Sequence, residues 1–156
     1  MNLAEIEIRV DDLTGSDTVA LIAFHLAGMH DTSPEGSVHA LDLDRLRHPD
    51  ITFWSARIGG ELAGIGALAR LDDLRGEIKS MRVDDRFRGS GVGRALLRHI
   101  IAAARQRGMS SLWLETGRSD EFLPAHRLYA SEGFVSCGPF ESYTDDPFSA
   151  FMTRGL

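Results

Sequence analysis

A glycine-rich segment past the middle of the chain most constrains what this sequence can fold into. Arg88-Gly89-Ser90-Gly91-Val92-Gly93 lies between a strand-like run at residues 77–83 and an apolar-periodic helix start at residues 94–101. A strand, a tight glycine turn and a helix N-terminus bring several unpaired N–H groups together, and such donors bind phosphate oxygens. The segment therefore predicts a pyrophosphate site, with Arg88 and Arg94 adding positive charge at its rim.

Two common phosphate-binding loops do not match this segment. A P-loop carries Lys-Ser or Lys-Thr after its last glycine, whereas Arg94-Ala95 stands there in this chain, which argues against a nucleoside triphosphatase. A dinucleotide site has G-x-G-x-x-G after the first strand of a parallel unit, but this sequence has G-x-G-x-G at residues 89–93. A generic nucleotide-binding domain remains only as a weaker alternative.

Size and charge fit one compact domain over residues 1–156. The chain has 156 residues, is 43% hydrophobic and carries a net charge of −6, which disfavours nucleic-acid and anionic-membrane partners. Cys137 is its only cysteine, so an internal disulfide and a cysteine-based zinc site are both excluded. The N-terminus lacks the basic start and apolar core of a signal peptide, and we expect a cytoplasmic protein.

Apolar periodicity predicts an alternation of strands and helices along the chain. Gly59-Gly60 lies between two strand patterns and predicts a tight hairpin, since both residues tolerate positive φ. Residues 30–40 contain Pro34 and Gly36 and are expected to form a loop. The predicted strands cover residues 5–10, 51–58, 61–71, 76–83, 112–115, 134–137 and 149–154. The predicted helices cover residues 16–29, 42–47, 91–107 and 122–132.

Arg88, Gly91 and Gly93 match the pattern R-x-x-G-x-G, and residues 125–134 match A-x-x-L-Y-x-x-x-G-F. These two motifs and the order of elements resemble the GNAT superfamily of N-acetyltransferases, although Phe122 stands where many members carry asparagine. Residues 51–56, 76–82 and 114–117 resemble a bacterial YsnE-like subgroup of that superfamily. The resemblance covers essentially the whole chain. It implies an α+β fold, an α/β/α sandwich. The central sheet is expected to be mixed and mostly antiparallel, with six to seven strands, a V-shaped splay and about four flanking helices.

The resemblance also implies the reaction and the cosubstrate. Acetyl-CoA, with no metal, would supply an acetyl group to a primary amine of a small molecule or peptide by direct attack in a ternary complex. The alternative is a noncatalytic module that only binds acyl-CoA, and the protein is expected to be a monomer or a homodimer. The residues expected to bind the coenzyme are Met81, Arg82, Val83, Arg88, Gly89, Ser90, Gly91, Val92, Gly93 and Arg94.

Three side chains are candidates for moving protons. The family motif makes Tyr129 the general acid, and a phenol with a pKa near 10 suits protonation of a leaving thiolate; the alternative is a role in packing alone. Glu77 begins the central strand, where histone-modifying relatives place a general base. An exposed strand-edge glutamate is the simpler interpretation of Glu77, and Glu115 on the next strand is the second candidate base.

The acceptor site is expected at the loop of residues 30–43 and the late segment 140–148. We assign His39 and Tyr143 to it, whereas His25 and His30 have no metal-binding spacing and are expected to be structural. The charges leave the acceptor's chemistry open. Asp145 and Asp146 would favour a cationic amine, whereas Arg70 and Arg82 would favour an acceptor that carries a carboxylate.

Overall fold

The structure, a computed structural model, describes residues 5–32 and 43–156, with the side chains of residues 28–32 outside the description. Its seven strands are β1 (Ile6–Val10), β2 (Ile51–Ile58), β3 (Glu61–Arg70), β4 (Arg75–Val83), β5 (Ser111–Gly117), β6 (Val135–Cys137) and β7 (Ser149–Gly155). The helices in these ranges are α1 (Ser16–Thr32), α2 (Leu43–Leu46), α3 (Val92–Gln106) and α4 (Leu123–Ser131). Short 3₁₀ turns cover Asp85–Phe87 and Asp120–Phe122.

All strands join one seven-stranded sheet in the order β1-β2-β3-β4-β5-β7-β6. Only the β4–β5 pair is parallel, because α3 returns the chain between these strands, and every other pair is antiparallel. Gly59 and Gly60 form the β2–β3 hairpin with φ of +58° and +81°. The expected mixed, mostly antiparallel sheet with four helices is therefore confirmed, and each predicted element lies close to its predicted position.

Helices cover both faces of the sheet. On one face α3 buries an apolar stripe against the strands, and the core there extends to Tyr129 and Phe134. The stripe consists of Val92, Leu96, Leu97, Ile100, Ile101 and Ala104. On the other face Leu21 and Ile22 of α1 and Leu46 of α2 pack in a second cluster with Phe53, Leu62, Ile65 and Ala67. We call these the α3 face and the α1 face.

A β-bulge in β4 changes which side chains share a face. Ala67 of β3 lies opposite Lys79 and Ile65 opposite Arg82, so the two residues between Lys79 and Arg82 oppose Gly66 alone. Ser80 has φ of +57° at this point. Because side chains alternate along a regular strand, residues three apart would point to opposite faces. The bulge instead leaves Lys79 and Arg82 both on the α1 face.

The sheet splits where β4 and β5 separate. Their parallel pairing runs from Arg75–Ser111 to Ile78–Leu114 and then ends. Both strands continue, β4 to Val83 and β5 to Gly117. This separation is the expected V-shaped splay, and Lys79 and Glu115 are the first residues beyond the last paired positions. No helix in the described ranges is long and apolar enough to cross a membrane.

We expect Gly76→Ala to lower the free energy of unfolding by about 1–3 kcal/mol, the usual effect of overpacking a core. A Cβ at Gly76 would lie 2.7 Å from Leu68 Cδ1, 2.8 Å from Met109 Sδ and 3.1 Å from Leu112 Cδ2. These three side chains are almost wholly buried, so the added methyl group would have to displace atoms of the core. Gly138→Ala, where a Cβ meets nothing within 4 Å, is the control and should leave stability unchanged or slightly higher. Urea denaturation measures the free energy of unfolding of both variants. Equal values would contradict the close packing around Gly76.

Candidate active site

The glycine segment forms an open cradle of N–H groups at the start of α3. Gly89 and Gly91 adopt left-handed φ of +76° and +89°, and a Cβ at either position would meet nothing within 4 Å. The first helical hydrogen bond runs from Ala95 N–H to Gly91 C=O at 3.0 Å. The N–H groups of residues 91–94 precede it and have no intrahelical acceptor. This cradle fits a pyrophosphate, because main-chain donors and the positive helix end face open space.

The side chains of the glycine segment are engaged within the protein. Val92 is buried in the core, and Ser90 Oγ donates to the Phe87 carbonyl, so both residues offer mainly backbone to a ligand. Arg88 pairs with Asp85 at 2.8 Å, and Arg94 pairs with Glu132 at 3.0 Å. Sequence spacing did not reveal either ion pair. The rim is therefore less positive than its arginines alone predict.

The splay between β4 and β5 leaves a slot beside this cradle. Residues 79–83 of β4 and 115–117 of β5 do not pair with each other, so backbone donors and acceptors face the gap. The side chains of Met81 and Val83 pack into the core of the α3 face. These residues therefore present their main chain, rather than their side chains, to anything in the slot. An extended, amide-bearing chain such as pantetheine fits such an edge by adding itself as a strand.

Tyr129 lies on α4, in the core of the α3 face. The residue is 6% exposed, and its ring meets Phe134 edge-on with the centroids 5.7 Å apart. Burial raises the pKa of the Tyr129 phenol above its ordinary value, because the phenolate is poorly solvated there. The hydroxyl therefore keeps its proton at neutral pH, as a general acid requires.

Glu77, Lys79 and Tyr143 form a hydrogen-bonded triad on the α1 face. Glu77 Oε2 accepts from Lys79 Nζ at 2.9 Å and from the Tyr143 hydroxyl at 2.6 Å, and Lys79 Nζ also donates to that hydroxyl at 2.9 Å. The Glu77 and Lys79 side chains are only 7% and 10% exposed. The structure thus brings Glu77 and Tyr143 together. Sequence analysis did not identify Lys79. The available signal was its spacing of two from Glu77, because residues two apart on a strand share a face of the sheet.

Glu115 approaches the triad from β5. Burial raises the pKa of its carboxyl group to about 7, and the charges of Glu77 and Asp146 act in the same direction. The Lys79 charge opposes this rise. A carboxyl group that titrates near neutral pH at the end of the β4–β5 pairing is well suited to exchange protons.

Aromatic rings enclose this group of polar side chains. Phe140 packs on Tyr143 and Trp113, with centroid separations of 5.0 and 5.5 Å, and Tyr143 also contacts Phe151 at 5.6 Å. The rings fix Tyr143 and exclude water from the carboxyl groups. Burial, with a further contribution from the Glu77 charge, raises the pKa of the Tyr143 phenol.

Arg82 and His25 occupy the α1 face farther along the splay. The Arg82 guanidinium carbon lies 4.9 Å from the centroid of the Phe24 ring, in a cation–π contact. Arg82 Nε and His25 Nδ1 are both buried, and neither has a hydrogen-bond partner within the part of the chain that the structure describes. Burial, together with the Arg82 charge, lowers the pKa of His25 to about 4, so this imidazole is neutral at physiological pH.

The remaining histidine candidates cannot be placed. His39 and the side chain of His30 lie outside the described residues. Among the side chains that the structure does describe, no group of three or more histidine, cysteine, aspartate or glutamate residues is arranged to hold a metal ion.

Solved structures share this architecture. An acyl-CoA N-acyltransferase from Klebsiella pneumoniae subsp. pneumoniae superposes with a TM-score of 0.80 at 30% identity, covering 98% of this chain and 99% of that chain. A GNAT family acetyltransferase from Elizabethkingia anophelis, solved with acetyl-CoA bound, gives a TM-score of 0.70 at 21% identity, covering 97% of this chain and 99% of that chain. The second similarity is one of fold alone.

Sequence comparison identifies the family. The chain is 52% identical to the uncharacterized N-acetyltransferase YsnE of Bacillus subtilis, over 96% of this chain and 99% of that protein. It is 47% identical to the uncharacterized N-acetyltransferase YedL of Escherichia coli, over 96% of this chain and 94% of that protein. The model of the acetyltransferase (GNAT) family matches residues 19–134. With the splayed sheet and the glycine cradle, these matches show that the chain belongs to the GNAT family of acetyltransferases.

Proposed function

We propose that this chain is an acetyl-CoA-dependent N-acetyltransferase that acetylates a primary amine of a small molecule or peptide by direct attack in a ternary complex. The observation that carries the proposal is the slot between β4 and β5, which opens beside the free N–H groups at the start of α3. This combination suits a ligand that has a diphosphate at one end and an amide-bearing arm at the other. The acetyl-CoA in the E. anophelis structure supports the same choice of cosubstrate.

Main-chain groups would do most of the work of binding the cosubstrate. In the proposed complex the diphosphate lies on the N–H groups of residues 89–94, and the pantetheine arm lies along residues 81–83. A backbone N–H near Val83 polarises the thioester carbonyl. This hydrogen bond stabilises the transition state most strongly in a site that excludes water. The rim arginines Arg88 and Arg94 would exchange part of their contact with Asp85 and Glu132 for the phosphates.

The chemical step needs one proton delivered and one removed. The amine nitrogen forms a bond to the carbonyl carbon as the carbon–sulfur bond breaks, and the departing sulfur takes the proton of the Tyr129 phenol. The amine loses its own proton to a carboxylate on the acceptor side. The match of residues 125–134 to the family motif supports this role; burial keeps the phenol protonated before the reaction, although the raised pKa also makes it a weaker acid.

Two carboxyl groups compete for the role of base, and their contacts favour Glu115. One oxygen of Glu77 already accepts hydrogen bonds from Lys79 and Tyr143, so Glu77 is better placed to orient these groups. Glu115 has a pKa raised to about 7 and is matched to proton transfer near neutral pH. Tyr143 then serves the acceptor site through its contact with Glu77, and His39 keeps its predicted place there.

The cellular setting is part of the proposal. A net charge of −6 supports an acceptor other than nucleic acid or an anionic membrane surface. The bacterial relatives and the use of acetyl-CoA favour a cytoplasmic reaction, carried out by a monomer or a homodimer.

We expect Gly91→Glu to weaken acetyl-CoA binding about 100-fold or more, because bulk and negative charge would occupy the diphosphate position. Gly59→Glu is the matched control, since Gly59 is also left-handed and open but lies at the β2–β3 turn. Isothermal titration gives both affinities. Thermal scans should show that acetyl-CoA at about 100 times its Kd stabilises wild type and the control by about 2.7 kcal/mol. A folded Gly91→Glu protein with wild-type affinity would refute the cradle.

Tyr129→Phe should lower the single-turnover rate about 10²–10⁴-fold while acetyl-CoA binding stays close to wild type, since only the departing thiolate needs the phenolic proton. Phe134→Leu disturbs the same ring contact without removing the hydroxyl and controls for packing. Rapid-quench measurement of thiol release compares the variants. If Tyr129→Phe kept the wild-type single-turnover rate, Tyr129 would serve packing alone and would not be the general acid.

Removing each glutamate should affect the pH–rate profile differently. In wild type, kcat/KM is expected to rise with pH as Glu115 loses its proton near pH 7. Glu115→Gln should abolish this rise. Glu77→Gln should keep it but move it to lower pH, because the Glu77 charge raises the pKa of Glu115. If Glu77→Gln abolished the rise and Glu115→Gln kept it, Glu77 would be the base. If the rise stayed at its wild-type pH in both variants, neither glutamate would be the base.

A further inference from the structure

Arg82 carries a positive charge that the described part of the chain satisfies poorly. Its side chain is 25% exposed, and its one ion pair within the described residues is a 3.9 Å approach of Nη2 to Asp85. Asp85 is bound more closely by Arg88, at 2.8 Å. Arg82 Nε is buried and has no hydrogen-bond partner in residues 5–32 and 43–156. A buried donor on a cation that lacks an acceptor is costly, and an anionic ligand would remove this cost.

His25 presents a second unsatisfied polar group close enough for the Arg82 charge to act on it. Its Nδ1 is buried and has no hydrogen-bond partner among the described residues, and its low pKa keeps the ring neutral at physiological pH. A neutral imidazole can carry its proton on Nδ1 and donate one hydrogen bond. The α1 helix and β4 thus offer two buried nitrogen atoms, His25 Nδ1 and Arg82 Nε, that make no hydrogen bond to the described residues.

We propose that the amine acetylated by this enzyme also carries a carboxylate, and that this carboxylate is bound by the Arg82 guanidinium and the His25 ring. The inference rests on the proposed acetyltransferase function and narrows its acceptor to amino acids and related amino carboxylates.

The shape and setting of Arg82 favour a carboxylate. Phe24 stacks on one face of the guanidinium, and Nε at its planar edge is buried and makes no hydrogen bond to the described residues. A carboxylate matches this edge with two parallel hydrogen bonds. The bulge at Ser80 puts Arg82 on the same face as Lys79, beside the point where the strands separate. The acceptor's carboxylate and amine would therefore approach one face of the sheet.

A cavity next to this site has acidic side chains, but their pairing with arginines argues against a site for a cationic acceptor. It has a volume of about 610 Å³ and lies between α1, the β2–β3 hairpin and the end of β4. Each of its four acidic side chains lies 2.8–3.7 Å from an arginine, and three arginines together offset most of the negative charge. The acidic side chains are Asp17, Glu61, Asp84 and Asp85.

The test compares matched acceptors within each enzyme variant. Acetyl transfer is measured for L-amino acids, for their carboxamides and for the corresponding decarboxylated amines. Wild type should prefer the best amino acid over its carboxamide by about 10- to 100-fold in kcat/KM, because a charged hydrogen-bond pair is lost in the amide. In Arg82→Gln this ratio should fall close to one, and in His25→Gln it should fall partway.

Arg70→Gln is the matched control. Arg70 ends the neighbouring strand and approaches Asp73 at 3.6 Å, and it was the other arginine that the sequence offered for a carboxylate. The ratio should stay at its wild-type value in this variant. Using a ratio measured within each variant separates acceptor recognition from any change in acetyl-CoA binding or folding.

A binding experiment completes the test. N-acetyl amino acids, as product analogues, are titrated into the CoA-saturated protein while the His25 ring is followed by NMR, with N-acetyl amino acid amides as controls. We expect saturable NMR shifts of the His25 ring with the N-acetyl amino acids but not with their amides, and no shifts in Arg82→Gln.

Two results would overturn this inference but leave the acetyltransferase proposal standing. One is acetylation of amines whether or not they carry a carboxylate, and the other is a preference for amino acids that survives Arg82→Gln. A protein that acetylates no amine while binding the N-acetyl amino acids would refute the proposed function but support the carboxylate site. Failure of both turnover and binding refutes both.

Discussion

The early end of the β4–β5 pairing is the constraint on which the rest of the site depends. These strands are the only parallel neighbours in the sheet, and α3 is the crossover between them. The fully buried stripe of α3 fixes its first turn against the end of β4, where a Cβ on Gly93 would lie 3.4 Å from Val83 Cγ2. The helix N-terminus and the open edge of β4 are therefore held side by side. A ligand with a diphosphate and an amide-bearing arm can contact both at once.

The bulge at Ser80 decides which side chains this open edge can use. It places Met81 on the α3 face, where its sulfur would lie 2.7 Å from a Cβ on Gly66, and returns Arg82 to the α1 face. The α3 side is thereby filled with apolar side chains that leave backbone groups for the coenzyme. The α1 side collects Lys79, Glu115 and Arg82, the side where we propose that the acceptor binds.

Local sequence patterns predicted the elements and the glycine cradle, because both depend on residues close together in the chain. They failed where the deciding contact is distant. Glu77 and Tyr143 are 66 positions apart, and only the return of β7 beside β5 brings residues 140–148 over β4. The bulge has no signature in Ser80-Met81, and the ion pair between Arg94 and Glu132 spans 38 positions. Tyr129 was identified through a family motif rather than from any physical property of its surroundings.

The division between the two faces explains how one scaffold can serve many acceptors. Recognition of the coenzyme through backbone groups tolerates side-chain change, provided that the glycine turn and the strand separation survive. In our proposal, recognition of the acceptor on the α1 face depends instead on individual side chains such as Arg82, His25 and Tyr143. Acceptor choice can therefore change without loss of coenzyme binding. The buried triad of Glu77, Lys79 and Tyr143 lies beside Glu115 where the strands part; burial raises the pKa of Glu115, and the charges of Lys79 and Glu77 modify that rise in opposite directions.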